Sequence, residues 1–183
     1  MRVVAGEFRG RKLNAVPGMA TRPTTDKVKE AIFNIIGPYF NGGTSLDLFA
    51  GSGGLSIEGV SRGIAHAVLV DRQYQAIKTI QTNIEFTHHP EKFTVLKRDA
   101  RRVLAELASQ GTQFDLIYLD PPYAKQQIID DLAKMQELNL VAPGATIVCE
   151  TNTEANLPAT LPGLTCVRQA TYGITVVTIY RAD

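Results

Sequence analysis

The sequence is poor in the residues that bind metals or form disulfides. Its 183 residues include two cysteines, three histidines and no tryptophan. Cys149 and Cys166 lie in separate apolar stretches without C-x-x-C spacing, and no histidine has a cysteine or carboxylate partner at metal-ligand spacing. Since disulfides form mainly outside the cytosol, we expect reduced cysteines, no bound metal and a cytoplasmic location.

The sequence also lacks long apolar runs and any large excess of one charge. No apolar stretch approaches a membrane-spanning length and the N-terminus has no signal-peptide pattern, so we expect no contact with a membrane. The net charge is +1, yet residues 1–30 hold seven basic and three acidic residues, a net +4. This asymmetry indicates a polyanionic partner at one edge of the protein, although a solvated charged face gives the same numbers.

The order of apolar patterns predicts an α/β fold. From Ser45 onward, short apolar strands alternate with amphipathic helices, which indicates a parallel sheet covered on both faces. Two β-rich runs, 165–170 and 174–181, flank a turn and should form an antiparallel pair at one edge of the sheet. A chain of this length builds one sizeable core. We expect one domain over 1–183, made of a basic N-terminal extension over 1–20 and a helix plus core over 21–183.

The first residues predict a basic β-hairpin. Two short strand candidates, 2–5 and 12–16, flank a turn that begins and ends with glycine. An aromatic residue among arginines suits RNA, because base stacking and phosphate contacts then act together. The residues expected to be exposed near the hairpin tip are Phe8, Arg9, Arg11 and Lys12. Further on, Thr24 or Thr25 should cap a helix that ends at Gly37-Pro38.

A glycine-rich turn joins the first core strand, 45–49, to a helix. Such a turn lets a ligand approach bare backbone, with N–H groups aimed at it from the helix N-terminus. Ser56 stands where a dinucleotide fingerprint has its third glycine, and Asp47 precedes the turn by four residues, where an acidic residue can hold a cationic amino group. The pattern Asp-x-x-x-Gly-x-Gly-Gly resembles the first motif of S-adenosylmethionine (SAM) methyltransferases, although a packing turn with a structural aspartate also fits. The candidate cofactor residues of this segment are Asp47, Phe49, Ala50, Gly51, Ser52 and Gly53.

Acidic residues follow the next three predicted strands. Ligands of open α/β sheets bind beyond the carboxyl ends of the strands, and the distance of Asp71-Arg72 from the glycine turn suits an acceptor for ribose hydroxyls. Asp99 can accept from an adenine amino group while the Ala100 N–H donates to the ring, and Asp120 ends the fourth strand. Each aspartate alone would also serve as a helix N-cap. Three of them in register with a glycine turn indicate an adenosine-bearing ligand.

The tetrapeptide Asp120-Pro121-Pro122-Tyr123 is the most specific pattern in the chain. It matches the [Asn/Asp]-Pro-Pro-[Tyr/Phe/Trp] motif of methyltransferases that modify an amino nitrogen conjugated to a planar system. A carboxylate oxygen of Asp120 and the Pro121 carbonyl can each accept one N–H, which turns the lone pair of the nitrogen toward the methyl group. The prolines hold the turn rigid and the Tyr123 ring can stack on the base. We expect these four residues to be catalytic, although a purely structural turn shares the pattern.

Several blocks of the sequence resemble the RsmD-like bacterial 16S rRNA guanine-N2 methyltransferases. In family order they are Arg2–Gly6, Gly10–Leu13, Thr21–Asn34, Leu46–Gly53 and Asp120–Tyr123. The resemblance implies SAM as cofactor and a Rossmann-like class I fold with a mostly parallel, seven-stranded sheet. It also implies methylation of one guanine N2 in 16S rRNA of the small ribosomal subunit or its precursor, and we expect a monomer. The residues expected to contact RNA are Arg9, Arg11, Lys12, Arg22 and Thr24.

Other functions fit parts of the pattern. An adenine-N6 DNA methyltransferase or a protein glutamine methyltransferase shares the tetrapeptide, although DNA enzymes usually carry a further target-recognition region for which this chain has little room. A Rossmann-type oxidoreductase is disfavoured by Ser56 and by the tetrapeptide. A non-catalytic RNA-binding assembly factor would use the hairpin and ignore the cofactor. Asp120→Ala separates this last alternative, because only an enzyme would lose methyl transfer while keeping RNA binding.

Overall fold

A computed structural model of the chain describes residues 1–18 and 24–183. The helices are α1 (Asp26–Ile36), α2 (Gly54–Ser61), α3 (Tyr74–Glu85), α4 (Ala100–Ser109) and α5 (Ile128–Glu137). The strands are β1 (Thr44–Asp47), β2 (His66–Asp71), β3 (Phe93–Lys97), β4 (Phe114–Leu119), β5 (Val141–Asn152), β6 (Thr160–Leu161), β7 (Leu164–Tyr172) and β8 (Thr175–Ala182). Single 3₁₀ turns lie at Pro90–Lys92 and Tyr123–Lys125. No helix in these ranges is long and apolar enough to cross a membrane.

All eight strands form one sheet, in the order β3-β2-β1-β4-β5-β8-β7-β6. The first five run parallel, whereas β8, β7 and β6 pair antiparallel to their neighbours. The predicted α/β class, the mostly parallel sheet and the antiparallel C-terminal strands are therefore confirmed. The expected count of seven strands is exceeded by one, because Thr160–Leu161 adds a two-residue edge strand beside β7.

The two faces of the sheet bury separate hydrophobic clusters. Along β4, Leu116 and Tyr118 enter one cluster, whereas Ile117 and Leu119 enter the other, as the alternation of side chains in a strand requires. The first cluster is covered by the N-terminal segment and by α1, α2 and α3. The second is covered by α4 and α5. The sheet is thus covered on both faces, which leaves the carboxyl ends of its parallel strands as the edge where a ligand can bind.

The N-terminal segment packs into the first cluster and does not form an extended hairpin. Within residues 1–18, its strand pairing consists of a single antiparallel bridge between Arg2 and Lys12. Phe8 is 2% exposed, so the expectation that its ring is exposed at a hairpin tip is wrong. The physical reason is that the apolar residues of the segment have a core to enter. Ser61, at the end of α2, fixes this turn, since its hydroxyl accepts from the Phe8 N–H at 2.9 Å.

A buried ion cluster attaches the same segment to α1 and α2. We call it the Glu58 ion cluster: Glu58 lies 3.2 Å from Lys29 Nζ and 2.8 Å from Arg62 Nε, and all three side chains are almost fully buried. The two Glu58 oxygens also accept from the backbone N–H groups of Val4 and Ala5, at 2.8 and 3.1 Å. One carboxylate therefore connects two helices and the N-terminal segment.

Candidate active site

The glycine turn after β1 has open, bare backbone. Gly51 and Gly53 adopt φ values of +57° and +82°, which favour glycine, and Gly53 leads directly into α2. A Cβ added at Gly51 would meet nothing within 4 Å. A ligand can therefore approach this backbone closely, at the N-terminus of a helix where N–H groups are unpaired.

Asp47 ends β1 and is almost fully buried below that turn. Its carboxylate accepts from the Phe49 N–H and from the Ser56 hydroxyl, both at 3.3 Å, and has no salt-bridge partner in the described part of the chain. Burial raises the pKa of Asp47 to about 7. A buried carboxylate of this kind is ready to pair with a cationic group of a ligand.

Asp71 connects the second strand to the glycine turn. One of its carboxylate oxygens accepts from the Gly51 N–H at 3.0 Å and the other from the Gln73 N–H at 2.9 Å. A carboxylate has about four acceptor positions, so both oxygens can still accept a hydroxyl of a ligand. Arg72, which follows it, is exposed.

Asp99 acts as the N-cap of α4, which begins at Ala100. Its Oδ1 accepts from the backbone N–H groups of Arg101 and Arg102 at 3.0 and 3.2 Å, and these bonds lower the pKa of the carboxyl. Asp99 is therefore a helix cap, which is the structural alternative to a role in ligand binding. Both bonds use Oδ1, which leaves Oδ2 for a ligand amino group.

The Asp120 turn follows β4 and rests against β5. Asp120 is half-buried, Pro121 is buried, and the Tyr123 hydroxyl is held 3.1 Å from the Thr175 hydroxyl of β8. The pairing of β4 with β5 places the carboxyl of Asp120 beside that of Glu150. Burial and the neighbouring Glu150 charge raise the pKa of Asp120 well above its usual range.

Glu150 is a site residue that the sequence reasoning missed. It lies on β5, is 3% exposed, and accepts from the Thr24 hydroxyl at 3.0 and 2.9 Å. Its signal was available: it follows the apolar run that predicts the fifth parallel strand, as Asp71 and Asp120 follow theirs. Thr25, and not Thr24, caps α1, which leaves the Thr24 side chain for this contact.

The sheet order brings these groups to one edge. The strands β2, β1, β4 and β5 are consecutive neighbours. The first three end in or just before Asp71, Asp47 and Asp120, and β5 carries Glu150 level with Asp120. The chain leaves β1 toward β2 on one side, while β4 lies on the other, so the crevice between β1 and β4 is the switch point where α/β sheets bind ligands. The charge of Asp47, across this crevice, lies close enough to Asp120 to raise the pKa of the Asp120 carboxyl.

Of the residues expected to contact RNA, Thr24 lies at this edge against Glu150, and three others lie in the N-terminal segment. Arg9, Arg11 and Lys12 are exposed. Arg11 and Lys12 line a groove of about 360 Å³ with Asn14, Phe86 and His88. Arg22 falls outside the described residues.

One buried amide couples the basic segment to the site. Asn83 of α3 accepts from the Asn14 N–H at 2.8 Å and donates to the Ser52 carbonyl of the glycine turn, also at 2.8 Å. The basic segment and the glycine turn are therefore held in a fixed relation. Within residues 1–18 and 24–183, no three His, Cys, Asp or Glu side chains come together as a metal site would require.

Comparison with known proteins shows the family. The family model described as "Conserved hypothetical protein 95" matches residues 1–181. The chain belongs to this family. It is 48% identical over 181 residues to the Bacillus subtilis protein named "Putative rRNA methyltransferase YlbH", covering 99% of this chain and 98% of that protein. It is 31% identical to the Haemophilus influenzae "Ribosomal RNA small subunit methyltransferase D", covering 99% and 93%. The resemblance to RsmD-like enzymes is confirmed.

Solved structures of similar proteins share the fold over most of the chain. A Streptococcus pyogenes "conserved hypothetical protein" superposes with a TM-score of 0.82 at 46% identity, covering 85% of this chain and 96% of that one. The Escherichia coli "Putative methyltransferase yhhF" gives a TM-score of 0.83 at 30% identity, covering 100% and 98%. The arrangement of strands around the β1–β4 crevice is therefore that of the family.

Proposed function

We propose that this protein, as a single methyltransferase domain, transfers the methyl group of SAM to the exocyclic N2 of a guanine in 16S rRNA of the small ribosomal subunit. The observation that carries the proposal is the adjacency of the Asp47 glycine turn and the Asp120 turn on neighbouring strands of a family fold. Relatives that match almost the whole chain are named as rRNA methyltransferases, which supports the substrate class.

The residues at the sheet edge fit SAM. Asp47 supplies a buried carboxylate for a cationic amino group, Gly51 and its neighbours supply open backbone, and Asp71 keeps acceptor positions for ribose hydroxyls. Asp99 and Ala100 supply an acceptor and an N–H for the adenine edge. The remaining residues of this cofactor set are Phe49, Ala50, Ser52, Gly53, Arg72 and Asp120. When bound, SAM supplies a methyl group on a sulfonium, which is activated for displacement.

The Asp120 turn positions the nucleophile. The N2 lone pair of guanine is delocalised into the ring, so the nitrogen needs orientation more than a strong base. The free oxygen of Asp120 and the Pro121 carbonyl each accept one N–H, while Tyr123, anchored by Thr175, stacks on the base. Positioning of this kind lowers the activation barrier by roughly 7–11 kcal/mol. Because N2 is used in Watson–Crick pairing, the guanine must be unpaired or flipped out to reach the turn.

The basic N-terminal segment docks the rRNA. Arg9, Arg11 and Lys12 project from a segment that is fixed to the body by buried contacts, so their charges are presented in a constant position. Arg22 and Thr24 belong to the stretch that leads from this segment to α1. Phosphate contacts by such residues provide affinity and orientation, whereas the pocket at Asp120 selects the base.

The test is methylation of small subunits from a strain that lacks the enzyme. Incubation with the protein and labelled SAM should label one guanine, which mass spectrometry of 16S rRNA fragments identifies as N2-methylated. Asp120→Ala should abolish labelling and keep RNA binding, whereas Asp130→Ala, an exposed control on α5, should behave as wild type. Labelling that survives Asp120→Ala would refute the role of the turn, and a label on another atom or on protein would refute the substrate.

A further inference from the structure

Glu150 is a buried acid beside the proposed catalytic turn with no role in the function described so far. Leu119 of β4 pairs with Cys149 of β5, so the next residues along both strands, Asp120 and Glu150, are direct neighbours. Glu150 is 3% exposed. A charged group at this depth is costly unless it is paired or hydrogen-bonded.

The contacts of Glu150 show how it is accommodated. The Thr24 hydroxyl donates to it at 2.9–3.0 Å, and the β4–β5 register places the Asp120 carboxyl beside it. Two carboxyl groups can form a hydrogen bond only if one of them carries a proton. Among residues 1–18 and 24–183, no Lys or Arg forms a salt bridge with either acid, so no cation of these residues offsets their repulsion, whereas a shared proton would.

We propose that Glu150 is a positioning residue that shares one proton with Asp120 and takes up that proton when the methylated amine releases its own. The inference rests on the proposed function and deepens it. In the shared state the Asp120 O–H donates to the Glu150 carboxylate, and the second Asp120 oxygen faces the substrate nitrogen.

The proton step balances in atoms and charge. As the N2 lone pair forms the C–N bond, the C–S bond breaks and its electron pair stays on sulfur, which becomes neutral. The nitrogen is then cationic and passes one N–H proton to the free oxygen of Asp120, keeping the electron pair. Asp120 gives its original proton to Glu150, so both acids end neutral, and the pair returns one proton to water after product release.

The surroundings of the pair set its pH dependence. Asp47 on β1 is the third acid in the neighbourhood and raises the pKa of Asp120, as does Glu150. The Thr24 hydroxyl lowers the pKa of Glu150, whereas burial raises it. Tyr123 lies beside both acids and has its own pKa raised by burial. The pair therefore titrates as a unit, and it is active after losing the first of its two protons.

The decisive variant is Glu150→Gln, which keeps the shape and the hydrogen bonds but removes the charge. Without the Glu150 charge the pKa of Asp120 falls, so the acid limb of the kcat–pH profile should move to lower pH. A less basic Asp120 accepts the proton less readily, so the plateau of kcat should fall about tenfold. Glu154→Gln, an exposed glutamate beyond β5, is the matched control and should keep the wild-type profile. A wild-type acid limb in Glu150→Gln would overturn the proposal, because a merely structural role tolerates the amide.

A second variant predicts the opposite shift. Thr24→Val removes the hydroxyl that stabilises the Glu150 carboxylate, so the acid limb should move to higher pH. Thr24→Ser restores the hydroxyl and should return the limb to its wild-type position. A Thr24→Val limb that stays in place or moves down would contradict the shared proton.

A measurement independent of methyl transfer separates this inference from the proposed function. Carboxyl carbon-13 NMR of the wild-type protein should show Asp120 titrating well above its ordinary range, and Glu150→Gln should lower that midpoint. If both acids titrate separately near ordinary values, the shared proton is refuted even if rRNA is methylated. If the NMR result is as expected but small subunits are not methylated, the shared proton stands and the proposed function fails.

Discussion

Glu58→Gln tests whether one buried carboxylate holds the N-terminal part of the fold together. Glu58 accepts from four donors: the side chains of Lys29 and Arg62, and the backbone N–H groups of Val4 and Ala5. The glutamine is nearly isosteric, but it has one acceptor oxygen where two are used. Its NH₂ group must face donors, Arg62 is left as a buried cation without a counter-charge, and Lys29 keeps only the more distant Asp26 at 3.8 Å.

The magnitude follows from the burial of the cluster. Glu58 and Lys29 have 0% exposed side chains and Arg62 has 2%. Breaking such a buried pair by removing one partner costs about 3–5 kcal/mol. For a chain of this size each kcal/mol shifts Tm by about 2–4 °C, so we expect Tm to fall by about 6–20 °C. The loss of one of the Val4 and Ala5 contacts should also loosen the basic segment and weaken rRNA binding.

Thermal unfolding followed by circular dichroism measures this effect. The matched control is Glu106→Gln, which removes a carboxylate that pairs with Arg98 at 3.1 Å on the surface, with side chains 38% and 47% exposed. A surface pair of this kind contributes about 0–1 kcal/mol, so its Tm should change by a few degrees at most. If Glu58→Gln lowers Tm no more than Glu106→Gln does, the Glu58 ion cluster is not what fixes the segment.

Three further changes test other parts of the molecule. The pKa of Asp47 is raised from 3.8 to about 7 on folding, so the ligand-free protein loses stability as the pH rises from about 4 to 7. Asp47→Asn should therefore raise Tm relative to wild type at pH 8 but not at pH 3, and calorimetry should show weaker SAM binding. Equal Tm differences at both pH values would contradict this. Gly6→Ala places a methyl group against the last carbonyl of α2, at a φ of +89°, whereas the methyl group added by Gly10→Ala, at a φ of +84°, meets open space. Gly6→Ala should therefore lower Tm by more than Gly10→Ala does. Equal decreases in Tm would show that backbone strain alone matters. Reversing the charges of Arg9 and Arg11 to glutamate should weaken rRNA binding and reduce its salt dependence with SAM affinity unchanged, and an unaltered RNA titration would exclude this segment as the docking surface.

The parts of the fold set by local patterns could be predicted from the sequence. Strand and helix alternation after Ser45, the antiparallel C-terminal strands and the end of α1 at Gly37 all follow from short-range periodicity and turn residues. The N-terminal segment could not be predicted in the same way. Phe8 lies in a polar, mostly basic stretch, which suggests exposure, but it is buried in a turn fixed by Ser61, 53 positions away.

The residues of the candidate site also differ in whether local sequence patterns mark them, and this difference explains why sequence reasoning missed Glu150. Asp47, Asp71 and Asp120 could be located because each follows a strand and precedes a recognisable turn or helix, so sequence spacing alone places them at the carboxyl edge. Glu150 lies inside β5, which continues to Asn152 and pairs there with β8. No turn therefore follows Glu150 in the sequence to show that it lies at the carboxyl edge of the parallel strands. Its importance comes from strand pairing, because the register of β5 with β4 places Glu150 beside Asp120. An acid within a buried strand next to a catalytic strand is therefore a signal worth seeking in any parallel sheet, because desolvation makes an unpaired charge there too costly to keep without a partner.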